Sequence, residues 1–144
     1  MTAVTRPRLH HLALTVTDIE ASVRWYQDLF DVQFLMDAPH QGGVGKVLTD
    51  EAHELMLVLH HHDANDGKTF GETATGLDHA GFFVSSRAEL EAWQDHLAAN
   101  GVVRADVADK PLTQSPIADE GYGSVLVFRD PDNIQLEIFA PPPQ

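Results

Sequence analysis

Apolar and polar residues alternate regularly near the start of the chain. Positions 11–16 alternate between two faces, with Leu12, Leu14 and Val16 on the apolar face. A period of two is typical of a half-buried strand. Asp18 then provides a helix N-cap, and apolar residues recur behind it at helical spacing, at Ile19, Val23, Tyr26 and Phe30. The pattern predicts a strand followed by an amphipathic helix.

The same strand and helix pattern returns 68 residues later (79 − 11). The run Leu77-Asp78-His79-Ala80 aligns with Leu9-His10-His11-Leu12, and at the same offset Trp93 aligns with Trp25. Ser85 or Ser86 provides the second N-cap, and Asn100-Gly101 provides a stop. A constant offset through two kinds of element indicates two copies of one module.

Three further strand-like runs follow each helix. They lie at 32–37, 43–49 and 54–60 in the first copy, and within 102–108 and at 123–129 and 134–139 in the second. Residues 111–121 are predicted to form a loop. We therefore predict an α+β fold of two tandem βαβββ modules in one domain. The modules span about residues 8–62 and 76–140, with 63–75 connecting them, and form a curved, mainly antiparallel sheet around a cleft.

Composition excludes several kinds of site. The absence of cysteine excludes disulfides, iron–sulfur clusters and thiolate zinc sites. The formal net charge of −13 argues against nucleic acid as a partner, since an acidic surface repels phosphates. No apolar run is long enough to span a membrane. We expect a cytoplasmic protein that binds neither nucleic acid nor membrane.

Two histidines and one glutamate form the candidate chemistry. His11 and His79 occupy equivalent positions in the two modules, and Glu137 lies in the last strand, facing away from its apolar side. Packing of the modules about a pseudo-twofold axis would bring these positions together. Two imidazoles and one carboxylate leave open positions on a divalent metal, so we predict one Fe, Mn, Zn or Ni ion per site.

These motifs resemble those of the vicinal oxygen chelate superfamily, which includes glyoxalase I, fosfomycin- and bleomycin-resistance proteins and extradiol dioxygenases. The resemblance rests on residues 9–18 and 76–79 and on the run Phe128-Arg129-Asp130-Pro131-Asp132-Asn133-Ile134-Gln135-Leu136-Glu137. It maps the first ligand to His11 rather than His10. It implies a metal-dependent lyase, dioxygenase or transferase that binds a small substrate through neighbouring oxygens. It also implies a homodimer, in which a site is either in-chain or shared between two chains.

The sequence departs from the glyoxalase I pattern at the fourth ligand, a Glu or Gln in the last strand of the first module. Leu57 or a neighbour stands at that place, and His60 is a weak substitute. The resemblance therefore favours a dioxygenase-like reaction or a resistance-type addition. The alternative is a metal-free, bleomycin-resistance-like protein that sequesters a ligand, for which the negative charge suits a cationic molecule.

The remaining site predictions concern the rim of the cleft. Tyr122 is a candidate catalytic residue of the kind that dioxygenases use, with packing as its other interpretation. Adjacent strand residues point to opposite faces, so three histidines in a row cannot all reach one ion. The run 60–62 is therefore interpreted as a solvated strand end, and the alternative is that His60 or His62 reaches the cleft. The predicted cleft walls are Phe83, Phe139, Met36 and Leu57.

Overall fold

The first four strands form one sheet beside one helix. The computed structural model describes residues 1–144 and divides into two units, Met1–Asp66 and Gly67–Gln144. In the first unit the sheet order is β1-β4-β3-β2, with β1 and β4 parallel and the other pairs antiparallel. Its elements are β1 (Leu12–Thr15), α1 (Ile19–Phe30), β2 (Gln33–His40), β3 (Gly43–Thr49) and β4 (Met56–His62).

The second unit repeats this plan with two additional short strands. The sheet order is β5-β10-β9-β7-β6, and β8 pairs with β9. The prediction of a loop over 111–121 is wrong in part, because β7 and β8 lie there and extend the sheet. The elements are β5 (Ala80–Phe83), α2 (Arg87–Ala99), β6 (Val103–Arg104), β7 (Thr113–Gln114), β8 (Ala118–Glu120), β9 (Gly123–Arg129) and β10 (Gln135–Ala140).

The helices begin where the capping residues predict. The Asp18 carboxylate accepts a hydrogen bond from the Ala21 N–H at 3.1 Å, and the Ser86 hydroxyl accepts one from the Glu89 N–H at 3.2 Å. Each cap satisfies a backbone donor that the first turn leaves without an intrahelical partner.

The element order and the strand pairing confirm the predicted α+β class and the mainly antiparallel sheets. Neither helix combines the length and apolar character needed to cross a membrane.

The first sheet has two chemically different faces. Cross-strand pairing places Leu14, Leu48, Leu57 and Leu59 on one face, where they are buried with the apolar side of α1. Leu57 is 0% exposed, so its predicted role as a cleft wall is wrong. Successive side chains of a strand point to opposite faces of the sheet. Leu57 therefore lies on the buried face, and its neighbour Val58 lies on the face that carries Ala13.

The last two strands are joined by a turn that the sequence specifies. The buried Asp130 carboxylate accepts hydrogen bonds from the Asp132 and Ile134 N–H groups, both at 2.8 Å. Asn133 has a φ of 66°, a left-handed conformation that asparagine tolerates better than most residues. The turn therefore sets where β10, which carries Glu137, begins.

Arg129, at the end of β9, is a buried charge with a complete set of partners. It is 5% exposed, and its two terminal nitrogens each lie 2.9 Å from a Glu72 carboxylate oxygen. Its Nε donates to the Ala108 carbonyl at 2.7 Å. This bidentate pair fastens the segment before β5 to the end of β9.

The Glu72–Arg129 pair predicts a pH dependence of stability. Hydrogen bonding to Arg129 lowers the pKa of Glu72 from its ordinary value of 4.5 to about 2. Because the folded-state pKa is depressed, the stabilisation is present above about pH 4.5 and is lost as the pH falls towards 2. We expect the free energy of unfolding from urea titrations to fall over this range in the wild type and to fall less in Glu72→Gln. Parallel curves for the two proteins would contradict the assignment.

Candidate metal centre

His79 and Glu137 lie side by side on one face of the second sheet. β5 and β10 are parallel, with Glu137 opposite Gly81, and His79 immediately precedes β5. His79 Nε2 lies 3.5 Å from Glu137 Oε2. A Cβ added at Gly81 would meet no atom within 4 Å. The imidazole and the carboxylate therefore point into open space with their ligand atoms together.

The Asp78 carboxylate contacts the other ring nitrogen of His79, and Gln135 in turn holds that carboxylate. His79 Nδ1 lies 2.7 Å from Asp78 Oδ1, and Gln135 Nε2 donates to the same oxygen at 3.0 Å. When Nδ1 carries the proton it donates to Asp78, and the lone pair of Nε2 faces Glu137. Metal-bound histidines are commonly oriented by a carboxylate in this way. Neither Asp78 nor Gln135 was predicted from the sequence, although both stand within two residues of a predicted ligand.

His11 is exposed and stands directly before β1 in the first unit. Its Nδ1 lies 2.9 Å from Nδ1 of His10. The pairing of Ala13 with Val58 corresponds to that of Gly81 with Glu137. Val58, the neighbour of Leu57, is thus the counterpart of Glu137, and it offers no ligand atom.

His60 does not stand at the place of a fourth ligand. It pairs with Thr15, two residues beyond Val58, and its ring lies with those of His40 and His62. Burial lowers the pKa of His60 below 6.5, and the charges that His40, His62 and His11 would carry lower it further. This environment favours the neutral imidazole.

The run 60–62 is half-buried at all three of its positions. His61 projects to one face, 3.4 Å from Asp63, whereas His60 and His62 project to the other face with His40. His40 could not be predicted from the pattern of one strand, because only the β2–β3–β4 register brings it to this place. The available signal was a further histidine at the end of β2.

Aromatic rings flank Glu137 on its face of the second sheet. Phe83 pairs with Phe139, two residues beyond Glu137, and Tyr122 stacks on Phe139 with ring centroids 6.4 Å apart. Phe83 and Tyr122 are 68% and 66% exposed. In the first unit Met36 is 54% exposed and shares a face with Ala13. The catalytic role of Tyr122 stays a prediction.

Comparisons with known proteins agree with this architecture. The model of the Glyoxalase/Bleomycin resistance protein/Dioxygenase superfamily matches residues 8–138. The glyoxylase/bleomycin resistance protein/dioxygenase domain from Frankia sp. EAN1pec is 30% identical, with a TM-score of 0.81, covering 96% of this chain and 94% of that one. The glyoxalase family protein from Enterococcus faecalis is 19% identical, with a TM-score of 0.69 and coverages of 92% and 96%.

A third structure is a mutant of the genomically encoded fosfomycin resistance protein FosX from Listeria monocytogenes, complexed with Mn(II) and 1S,2S-dihydroxypropylphosphonic acid. It is 20% identical, with a TM-score of 0.64, covering 96% of this chain and 93% of that one. No curated protein matches the chain. The family match over most of the sequence confirms the resemblance inferred from the motifs. The chain belongs to the glyoxalase/bleomycin resistance protein/dioxygenase superfamily.

Proposed function

We propose that the protein is a metal-dependent enzyme whose divalent ion is held by His11, His79 and Glu137. The observation that carries the proposal is the arrangement around His79. Its Nε2 faces Glu137 at 3.5 Å, while Asp78 holds its Nδ1. A histidine that is only solvated would not need a carboxylate beside each of its two ring nitrogens.

The residues present suit a divalent transition metal. Nitrogen and oxygen donors without thiolate suit Fe, Mn, Zn and Ni. A bound ion would act as a Lewis acid on two neighbouring substrate oxygens and stabilise negative charge that develops there. Glu137 supplies the balancing negative charge, and Asp78 fixes the His79 tautomer. The absence of a side chain at Gly81 leaves room for a ligand beside both.

The surroundings of Glu137 suggest the kind of substrate. Phe83 and the stacked pair of Phe139 and Tyr122 provide apolar contact area, so the substrate would be a small molecule with one apolar part and two adjacent oxygens. The FosX mutant was crystallised with Mn(II) and a dihydroxy phosphonate. This supports a resistance-type addition, with a dioxygenase-like reaction as the second candidate, rather than glyoxalase I chemistry.

Metal binding by untagged protein tests the proposal. We expect Glu137→Gln to weaken Mn(II) binding by more than about 100-fold, since the loss of even an outer partner of a ligand costs 10–100-fold. His11→Gln should have a similar effect, because the proposal assigns it to the same ion. Mn(II) titrations followed by electron paramagnetic resonance measure both.

The matched control is Glu120→Gln, which removes the same charge from an exposed position on β8. It should bind Mn(II) as the wild type does. Equal and weak binding by the wild type, Glu137→Gln and Glu120→Gln would overturn the proposal and favour the metal-free sequestration protein. Mixing His11→Gln with Glu137→Gln protein then tests whether the proposed homodimer shares its sites, because only ligands shared between two chains would restore a site, whereas in-chain sites would not be restored.

A further inference from the structure

Three histidines outside the proposed ligand set converge in the first unit. Gly43 pairs with His40 on one side and with His62 on the other, and Gly45 pairs with His60. Directly paired residues in a sheet project to the same face. The three rings therefore stand together, with centroids 5.0 to 5.8 Å apart.

The two glycines of β3 make the space that these rings occupy. A Cβ at Gly45 would lie 2.8 Å from His60 Cε1, and a Cβ at Gly43 would lie 2.7 Å from His40 Cε1. Glycine inside a strand weakens it and is typical of a place where other atoms approach closely. At Gly45 those other atoms belong to the His60 imidazole, and at Gly43 they are the His61 backbone carbonyl and the His40 imidazole.

The ring nitrogens are close enough that one ion could contact all three, and one pair already has the spacing of two ligands on one ion. One nitrogen from each of the three rings lies within 4.8 Å of the other two, and His40 Nε2 is 3.2 Å from His60 Nδ1. The edge of a tetrahedron around an ion with metal–nitrogen distances of 2.0–2.1 Å is about 3.3 Å. His40 Nδ1 lies 3.1 Å from the Gln41 carbonyl oxygen. When Nδ1 donates its proton to that oxygen, the lone pair of His40 Nε2 is the one that can bind an ion.

We propose that His40, His60 and His62 bind one divalent transition-metal ion of the Zn(II), Co(II) or Ni(II) type. Three imidazoles with no carboxylate favour these ions over Mg(II) or Ca(II). The rings line an open pocket of about 450 Å³ together with Ala13 and Thr15, which leaves room for water or a small ligand on the ion. None of the three histidines belongs to the set of His11, His79 and Glu137.

Cobalt titration of untagged, chelator-treated full-length protein tests this second site. The Glu137→Gln background removes the carboxylate of the site of the proposed function and so weakens that site, and we expect the protein still to bind one Co(II) per chain at the three histidines. Adding His62→Gln to that background should weaken Co(II) binding by more than about 100-fold, because an inner ligand is lost. Adding Gly45→Ala should also weaken it without removing a ligand, since the new Cβ displaces His60.

His61→Gln is the matched control, because His61 adjoins both ligands but faces the other way. It should leave Co(II) binding unchanged. X-ray absorption of the Co(II)-loaded Glu137→Gln protein should show three imidazoles, and circular dichroism of each variant checks its fold. A lack of Co(II) binding in the Glu137→Gln background, or equal losses in His61→Gln and His62→Gln, would overturn the proposal. The three rings would then be only a hydrogen-bonded cluster.

Discussion

Replacing Arg129 with alanine is expected to lower the free energy of unfolding by about 3–5 kcal/mol. Arg129 is 5% exposed, and its guanidinium satisfies both Glu72 oxygens and the Ala108 carbonyl. Arg129→Ala leaves the Glu72 carboxylate and the Ala108 carbonyl without their guanidinium donor. It also leaves a void where the arginine side chain was packed. Urea unfolding at neutral pH measures the loss.

Arg104→Ala is the matched control for this prediction. Arg104 is paired with Asp95, but its side chain is 56% exposed, so its removal should cost less than about 1 kcal/mol. If the two variants lost a similar free energy of unfolding, burial would not be what makes the Arg129 ion pair contribute more than the Arg104 ion pair. A small effect of Arg129→Ala would contradict its role in fastening the segment before β5.

Asp78→Asn is expected to weaken metal binding at the His79 and Glu137 site by about 10–100-fold. Asparagine keeps the size of the side chain but removes the charge that holds the His79 Nδ1 proton. The His79 ring then loses the partner that fixes its tautomer. Chelator competition for Mn(II) in the His62→Gln background measures this site by itself.

The fold should not change in Asp78→Asn, because the Asp78 side chain is 65% exposed. Asp106→Asn removes an equivalent exposed charge from the same unit and should leave Mn(II) affinity as it is. A positioning residue also changes the pH at which binding is half-maximal, which a merely structural residue would not do. An unchanged affinity and pH midpoint in Asp78→Asn would exclude this role.

Local sequence patterns predicted most of the secondary structure. The residues that begin each helix, Asp18 and Ser86, act through contacts within one turn. The strand over 43–49 and the strand over 123–129 have the predicted bounds, because alternation depends only on neighbouring positions. The strand predicted within 102–108 is reduced to β6, and the short strands β7 and β8 depend on pairing with distant residues.

The duplication allowed part of the candidate site to be proposed from the sequence. His11 and His79 could be proposed because they share the offset between the two copies, and Glu137 because alternation places it on the polar face of the last strand. The 3.5 Å approach of His79 and Glu137 follows from the parallel β5–β10 pair. Asp78 and Gln135 were missed, since neither is unusual for its position in the sequence. Leu57 was assigned to the wrong face, because an error of one residue in register reverses every side chain of a strand.

By itself the sequence determined the two modules, their helix starts and the family, since these depend on local spacing and on repetition along the chain. Only the tertiary structure decided which polar residues meet. His40 reaches His60 and His62 through a three-strand register. Gln135 reaches the Asp78 carboxylate that contacts His79 Nδ1 through the pairing of β5 with β10. Such meetings depend on how separate strands align, and the pattern of any one strand does not contain that information.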